Sequence, residues 1–360
     1  MRFALVLLFA CTSEHAAPTP IRFLHTFGAD ETELLNATLA DRHVAVESSL
    51  VPFARGQQVI GEILRAGTSC PDLIRIDATW LPGFAGLLQP VPAPLRQLDW
   101  LPEASALAGD TALPQTVDGL FVIRDEATPA PAGASIDELV AATRAVRHAG
   151  RPNPLGLRVD GYWFVPWLRS EGADLGAIEN AGAVHALATF AALFGELAPP
   201  PPPAGGEAPD EIRRWTGHEI AYWVTGPWQL GALRDRDRLQ VSALAHAPRG
   251  GQLLVVPNCA KRPGEGWRLA AELTAIDVER KFAEAFAAVP SRKAALDAAP
   301  PLVHAEYAAL RAAEMLPRSR QTPLLFDDLN PAIAAVVFGD ATAREAIDGV
   351  RRGWHRLEKK

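Results

Sequence analysis

Indole rings and carboxylates dominate the side chains that could do chemistry here: nine Trp and 42 Asp and Glu, beside three Tyr, three Cys and nine His. The patterns G-x-S-x-G, H-E-x-x-H and G-x-x-x-x-G-K-[ST] do not occur, so hydrolase, zinc-protease and nucleotide-binding readings lack their signatures. The His and Tyr residues are scattered, which suggests no metal site, and nothing points to a cofactor. A glycosidase would need two facing carboxylates, and spacing alone does not exclude such a pair. Trp228 follows Gly226-Pro227, at a turn where a large side chain is easily presented, whereas Trp267 and Trp354 sit in amphipathic helices and read as core. Cys70 and Cys259 are far apart and lack C-x-x-C spacing, so they are either a disulfide pair or two buried thiols.

These side chains must be positioned by a large fold, and 360 residues suggest about two domains. At the N-terminus, Arg2 precedes the apolar run Phe3 to Phe9, and Ala10 precedes Cys11. That is the pattern of a secretory lipoprotein signal cut before a Cys that takes the lipid, with Thr12 to Pro20 as a tether. The alternative is a buried first strand that ends in Cys. Residues 3–9 are too few to cross a bilayer, which takes roughly 20. Net charge is −7 and no basic run is flanked by aromatics, which argues against nucleic acid.

Apolar patterning predicts strands over Ile21–Phe27, Val44–Leu50 and Asp72–Ile76, with helices over Glu31–Ala40 and Gln57–Ala66 between them. The alternation indicates an α/β class with parallel strands and crossover helices. Ser135-Ile136-Asp137-Glu138 reads as a capping box for a helix running to His148. Residues 198–209 hold five consecutive prolines and form a stiff loop. The last third is mostly helical, with one strand at Gln252–Val256.

Several segments, in order, resemble the solute-binding proteins of ABC importers, specifically the maltose- and trehalose-like carbohydrate branch. They are Phe23 to Glu31 (FLHTFGADE), Pro71 to Pro90 (PDLIRIDATWLPGFAGLLQP), Ala112 to Arg124 (ALPQTVDGLFVIR), Gly217 to Trp228 (GHEIAYWVTGPW), Val289 to Lys293 (VPSRK) and Asp340 to Ile347 (DATAREAI). The resemblance implies a two-lobed periplasmic-binding-protein-like α/β fold, with three chain crossings as a hinge and the ligand between the lobes. Residues 1–20 would be signal and tether. Residues 21–113 plus 252–289 would form the N-terminal lobe, and residues 114–251 plus 290–360 the C-terminal lobe. The proline-rich loop would lie outside the second lobe. The strand at Gln252–Val256 would run antiparallel beside Asp72–Ile76, which would bring Cys259 to Cys70.

The same resemblance implies a site. Sugars have hydroxyl edges and weakly apolar faces, so they need carboxylates and flat aromatic rings. Trp80, Tyr162, Trp163, Trp228 and Phe326 fall in or near matched cleft segments, as does Trp167, and Trp228 aligns with a stacking position. Asp77, Asp118 and Asp160 occupy or adjoin hydroxyl-binding positions; Glu31 either joins them or caps the first helix. Arg55 and Gln115 are further polar candidates. The implied activity is binding, not catalysis: a mono- or oligosaccharide is captured by hinge closure and delivered to an ABC permease by a monomeric carrier, lipid-anchored outside the cytoplasm. The alternatives are a secreted carbohydrate-active enzyme and an accessory protein of a ligand-sensing receptor. This chain is shorter than typical members, and residues 155–170 are unusually aromatic.

Overall fold

The computed structural model describes residues 19–200 and 210–358. Cys11, the signal, most of the tether and the run of prolines at 201–203 fall outside them. Thirteen strands organise the described chain: β1 (Ile21–His25), β2 (Val46–Leu50), β3 (Leu73–Asp77), β4 (Leu113–Pro114), β5 (Thr116–Gly119), β6 (Phe121–Asp125), β7 (Leu155–Gly156), β8 (Tyr222–Thr225), β9 (Leu239–Ser242), β10 (Pro248–Gly250), β11 (Gln252–Val255), β12 (Val289–Pro290) and β13 (Glu314–Met315).

The first lobe is built on a sheet of order β2-β1-β3-β11-β4. Strands β1, β2 and β3 are parallel, as crossover helices require, while β11 is antiparallel to β3. Side chains alternate across the sheet. Phe23, Leu73 and Leu254 pack beneath the helices Ala29–Asp41, Pro263–Leu273 and Ile276–Phe286. Leu24, Ile74, Ile76 and Leu253 pack on the other side, with Ile60 and Leu64 of the helix Phe53–Ala66. That helix starts four residues before the predicted Gln57. Pro52 sits at its N-cap, where a fixed φ and a missing N–H are tolerated. Cys70 and Cys259 form a disulfide between the loop entering β3 and the loop leaving β11, with Cα atoms 5.8 Å apart. Thr19 and Pro20, read above as the end of a free tether, are held: Arg262 donates to both carbonyls, and to Asp72 at 2.5 Å.

The second lobe carries a sheet of order β7-β8-β6-β9 over a large core that includes Trp167, Phe164 and Phe190, closed by the final helix Ala343–Glu358. The predicted capping box is present: Ser135 Oγ accepts from Glu138 N, and Glu138 accepts from Ser135 N.

Between the lobes lies the sheet β12-β5-β10-β13, which collects the three crossings side by side. Thr116 pairs with Pro290, and Asp118 with Gly250. Gly119 has φ +151°, and a Cβ there would stand 2.5 Å from the Pro248 carbonyl, so glycine is required. Ser291 Oγ ties the third crossing to the first through Pro114 O at 2.9 Å, and buried Glu279 grips Ser291 and Arg292 from the first lobe.

Candidate functional site

Ligands of open α/β sheets bind beyond the carboxyl ends of the strands. Here β3 ends in Asp77, and the pairing of β11 with β3 and of β10 with β5 sets Gln252 opposite Asp77 and Gly250 opposite Asp118. The two aspartates therefore flank the crossing at 250–252. Asp77 caps the short helix Ala78–Phe84, its Oδ1 accepting from Thr79 N at 2.8 Å and from the Thr79 hydroxyl. Its Oδ2 accepts from Gln252 Nε2 at 3.0 Å. Burial raises its carboxyl above the ordinary range against these donors. Burial, and then the Asp77 charge, push Asp118 up to about 8.

The counter-charge is Arg75, which the sequence reading did not single out. It is buried on the same side of β3 as Asp77, donating from Nε to Gln115 Oε1 at 2.7 Å and from Nη1 to Thr26 Oγ1 at 3.1 Å. Its guanidinium lies 4.0 Å over the Phe27 ring. Gln115 is thus a support for Arg75, and a charged residue inside the apolar run LIRID was the available signal. His25 is buried nearby, and burial followed by the Arg75 charge lowers it to about 4.

The second lobe supplies rings. Tyr162 and Trp163 open the helix Gly161–Ser170, whose N-cap is Asp160. Tyr162 lies 6.3 Å from Phe326 in a stacked arrangement and 6.4 Å from Trp228 edge-on; Trp228 and Trp163 are 5.8 Å apart. Across the cleft, Phe53 of the first lobe meets Phe326 edge-on at 5.9 Å and Trp80 at 5.0 Å. Phe53, exposed at the start of its helix, was missed because the predicted helix began later. Phe326 belongs to a π-helical turn, Leu325–Leu329, that no local pattern announced.

The candidates divide by exposure and partners. Trp228 is 43% exposed and presents a free ring; Trp80 is 1% exposed and is a core residue of the first lobe. Trp163 is buried with its indole N–H on Val224 O at 2.8 Å, so it backs Trp228. Asp160 holds Tyr162 N at 2.8 Å and Asn330 Nδ2 at 3.1 Å and positions the aromatic helix. Glu31 caps the first helix, accepting from Gly28 N at 2.7 Å, and also lines a cavity of about 20 Å³ with Arg75 and Glu279. Arg55 is exposed on its helix. The structure thus brings Asp77, Asp118, Tyr162, Trp228 and Phe326 together at the mouth between the lobes. Among the described residues, no group of three His, Cys, Asp or Glu could hold a metal ion, and no helix is long and apolar enough to cross a membrane.

No protein-family model and no curated protein matches the sequence. Solved structures do. The GacH receptor of Streptomyces glaucescens, solved unliganded and with acarbose, is 22% identical, with 95% of this chain and 98% of that one covered at a TM-score of 0.80. Maltose-bound T. maritima MalE3 is 20% identical, with 94% and 100% covered and a TM-score of 0.81. MalE from Bdellovibrio bacteriovorus, bound to maltotriose, is 14% identical, with 95% and 100% covered and a TM-score of 0.80. This chain has the two-lobed fold of these proteins.

Proposed function

We propose that this chain is the substrate-binding component of a carbohydrate importer, taking a mono- or oligosaccharide between its lobes and handing it to a membrane permease. One observation carries the reading: Tyr162, which packs with Trp228 and Phe326 on one lobe, meets Asp118 over Gly250 at the hinge, beside Asp77 across the 250–252 crossing. A sugar satisfies both at once, its faces on the rings and its hydroxyls on the carboxylates. Contacts on two lobes are complete together only when the lobes approach, so the ligand biases the closed form. The lobes are taken as residues 21–113 with 252–289 and residues 114–251 with 290–360. The sugars bound in the solved structures of similar fold support the same class of ligand.

No bond is made or broken in this mechanism. Asp160, at the start of the aromatic helix, is held by two donors as a helix cap. The Cys70–Cys259 disulfide suits an oxidising, extracytoplasmic setting, and we place the protein there, monomeric and lipid-anchored through Cys11.

The test is thermal shift with mono-, di- and trisaccharides, followed by product analysis after long incubation. Stabilisation without turnover is expected; cleavage of the sugar, or no response to any saccharide, overturns the reading. Trp228→Ala should abolish the sugar-induced shift and leave the apo melting temperature nearly unchanged, since almost half of the residue is exposed.

A further inference from the structure

We propose that the cleft selects a carbohydrate carrying a protonated amine, seated between Asp118 and Tyr162 with its ring against Trp228. The inference rests on the saccharide reading above and comes from a count of donors and acceptors.

Three acceptors border the crossing at 250–252, and two of them converge. The first is Asp118. The second is Tyr162 Oη, which donates its single proton to Pro248 O at 3.2 Å and so offers only lone pairs to the cleft. Both approach one point above Gly250, where a Cβ would lie 2.6 Å from Asp118 Oδ1 and 2.7 Å from Tyr162 Oη. The third is Gln252 Oε1, a buried oxygen with no donor, whose amide nitrogen serves Asp77 at 3.0 Å and also Asp118. Flipping that amide would set oxygen against the Asp77 carboxylate, so a flip does not relieve the orphaned acceptor.

The charges agree. Asp77 and Asp118 share one nearby guanidinium, and Arg75 aims its Nε and Nη1 at Gln115 and Thr26 and stacks on Phe27. Among the described residues, neither aspartate has an ion pair within 4 Å. A hydroxyl brings one donor and no charge; an ammonium brings three donors and a positive charge, and it gains further from the aromatic wall of Tyr162, Trp228 and Phe326. Burial and the Asp77 charge hold a proton on Asp118, and an ammonium seated beside it displaces that proton to solvent and leaves the carboxylate as its counter-charge.

Titration calorimetry on the full chain tests this with matched probes: glucosamine against glucose, the β-1,4-linked glucosamine disaccharide against cellobiose, and maltose and maltotriose as neutral references. In whichever pair binds, the amine member should be at least tenfold tighter. Asp118→Asn should reduce that preference to within a factor of about three. A neutral member binding equally or more tightly, or binding confined to neutral sugars such as maltose, overturns the amine assignment and leaves the saccharide reading intact. Absence of binding by every probe overturns both. The comparison on the unmodified protein decides the question even if Asp118→Asn fails to fold.

Discussion

Replacing Glu279 with Gln should flatten the pH dependence of stability, and the size of the effect follows from a proton count at the hinge. Ser291 Oγ lies 2.9 Å from Pro114 O and 2.5 Å from Glu279 Oε1. A hydroxyl has one proton, so both contacts are hydrogen bonds only when the carboxyl is protonated and donates to Ser291 Oγ, which donates onward to Pro114. Glu279 Oε2 meanwhile accepts from Ser291 N at 3.0 Å and Arg292 N at 2.9 Å. Burial pushes this carboxyl from 4.5 up to about 8, opposed by those donors and by the Arg292 charge; Arg75 and Glu31 are the other charged groups around the adjoining cavity. The folded value is raised, so the stability contributed by the proton is fully present below the unfolded value and is lost as pH rises through the folded one. Between pH 5 and pH 8 this group alone should cost roughly 3 to 4 kcal/mol. Gln keeps the geometry, its oxygen accepting both backbone amides and its nitrogen donating to Ser291, but it does not titrate. Urea unfolding of both proteins across that range isolates the difference, because the other raised carboxyls, Asp77, Asp118, Asp160, Glu211, Glu306 and Asp328, are common to both. Glu279→Gln should be within about 1 kcal/mol of wild type at pH 5 and more stable by about 3 kcal/mol at pH 8. A difference that stays constant with pH refutes the proton count.

Further outcomes follow from close contacts. Gly56→Ala places a Cβ 2.6 Å from the Trp80 ring and 3.2 Å from Thr26 Cγ2, so it should destabilise by about 1–3 kcal/mol in chemical denaturation. Gly250→Ala intrudes on Asp118 and Tyr162 instead, so calorimetry should show at least tenfold weaker binding of the sugar that wild type takes, while the melting temperature stays within a few degrees. Cys70→Ser should lower unfolding free energy by about 2–5 kcal/mol, and reduction of the wild type should lower it similarly.

The parts of this structure legible from sequence are those set by local rules. Apolar alternation marks β1, β2, β3 and β11 to within a few residues, and Ser135 with Glu138 marks a helix start. The cysteine pair required a guess at topology, since nothing between residues 70 and 259 brings them together locally. The site was less readable because its residues change meaning with their neighbours. Trp80 and Trp228 are the same residue type, yet one fills the first-lobe core and the other stands in the cleft. Asp160, expected near the ligand, also caps the helix that carries Tyr162, a role that depends on Asn330 170 residues away. Arg75, Gln252 and Phe53 take their roles from a partner strand or the opposite lobe, which no window of sequence contains.

The disulfide has a topological consequence. Cys70 and Cys259 are 189 residues apart, so everything from Pro71 to Asn258 is a covalent ring. That ring includes β3 to β11 and the whole first excursion of the chain into the second lobe. A protease that nicks it once, for instance in the proline-rich stretch, opens the ring without releasing either piece: the protein remains one molecule until it is reduced. On a gel such a nicked form should run as a single band without reductant and as two fragments with it, and hinge motion can persist after backbone cleavage because both crossings at 113–116 and 250–252 stay joined to one clasped sheet.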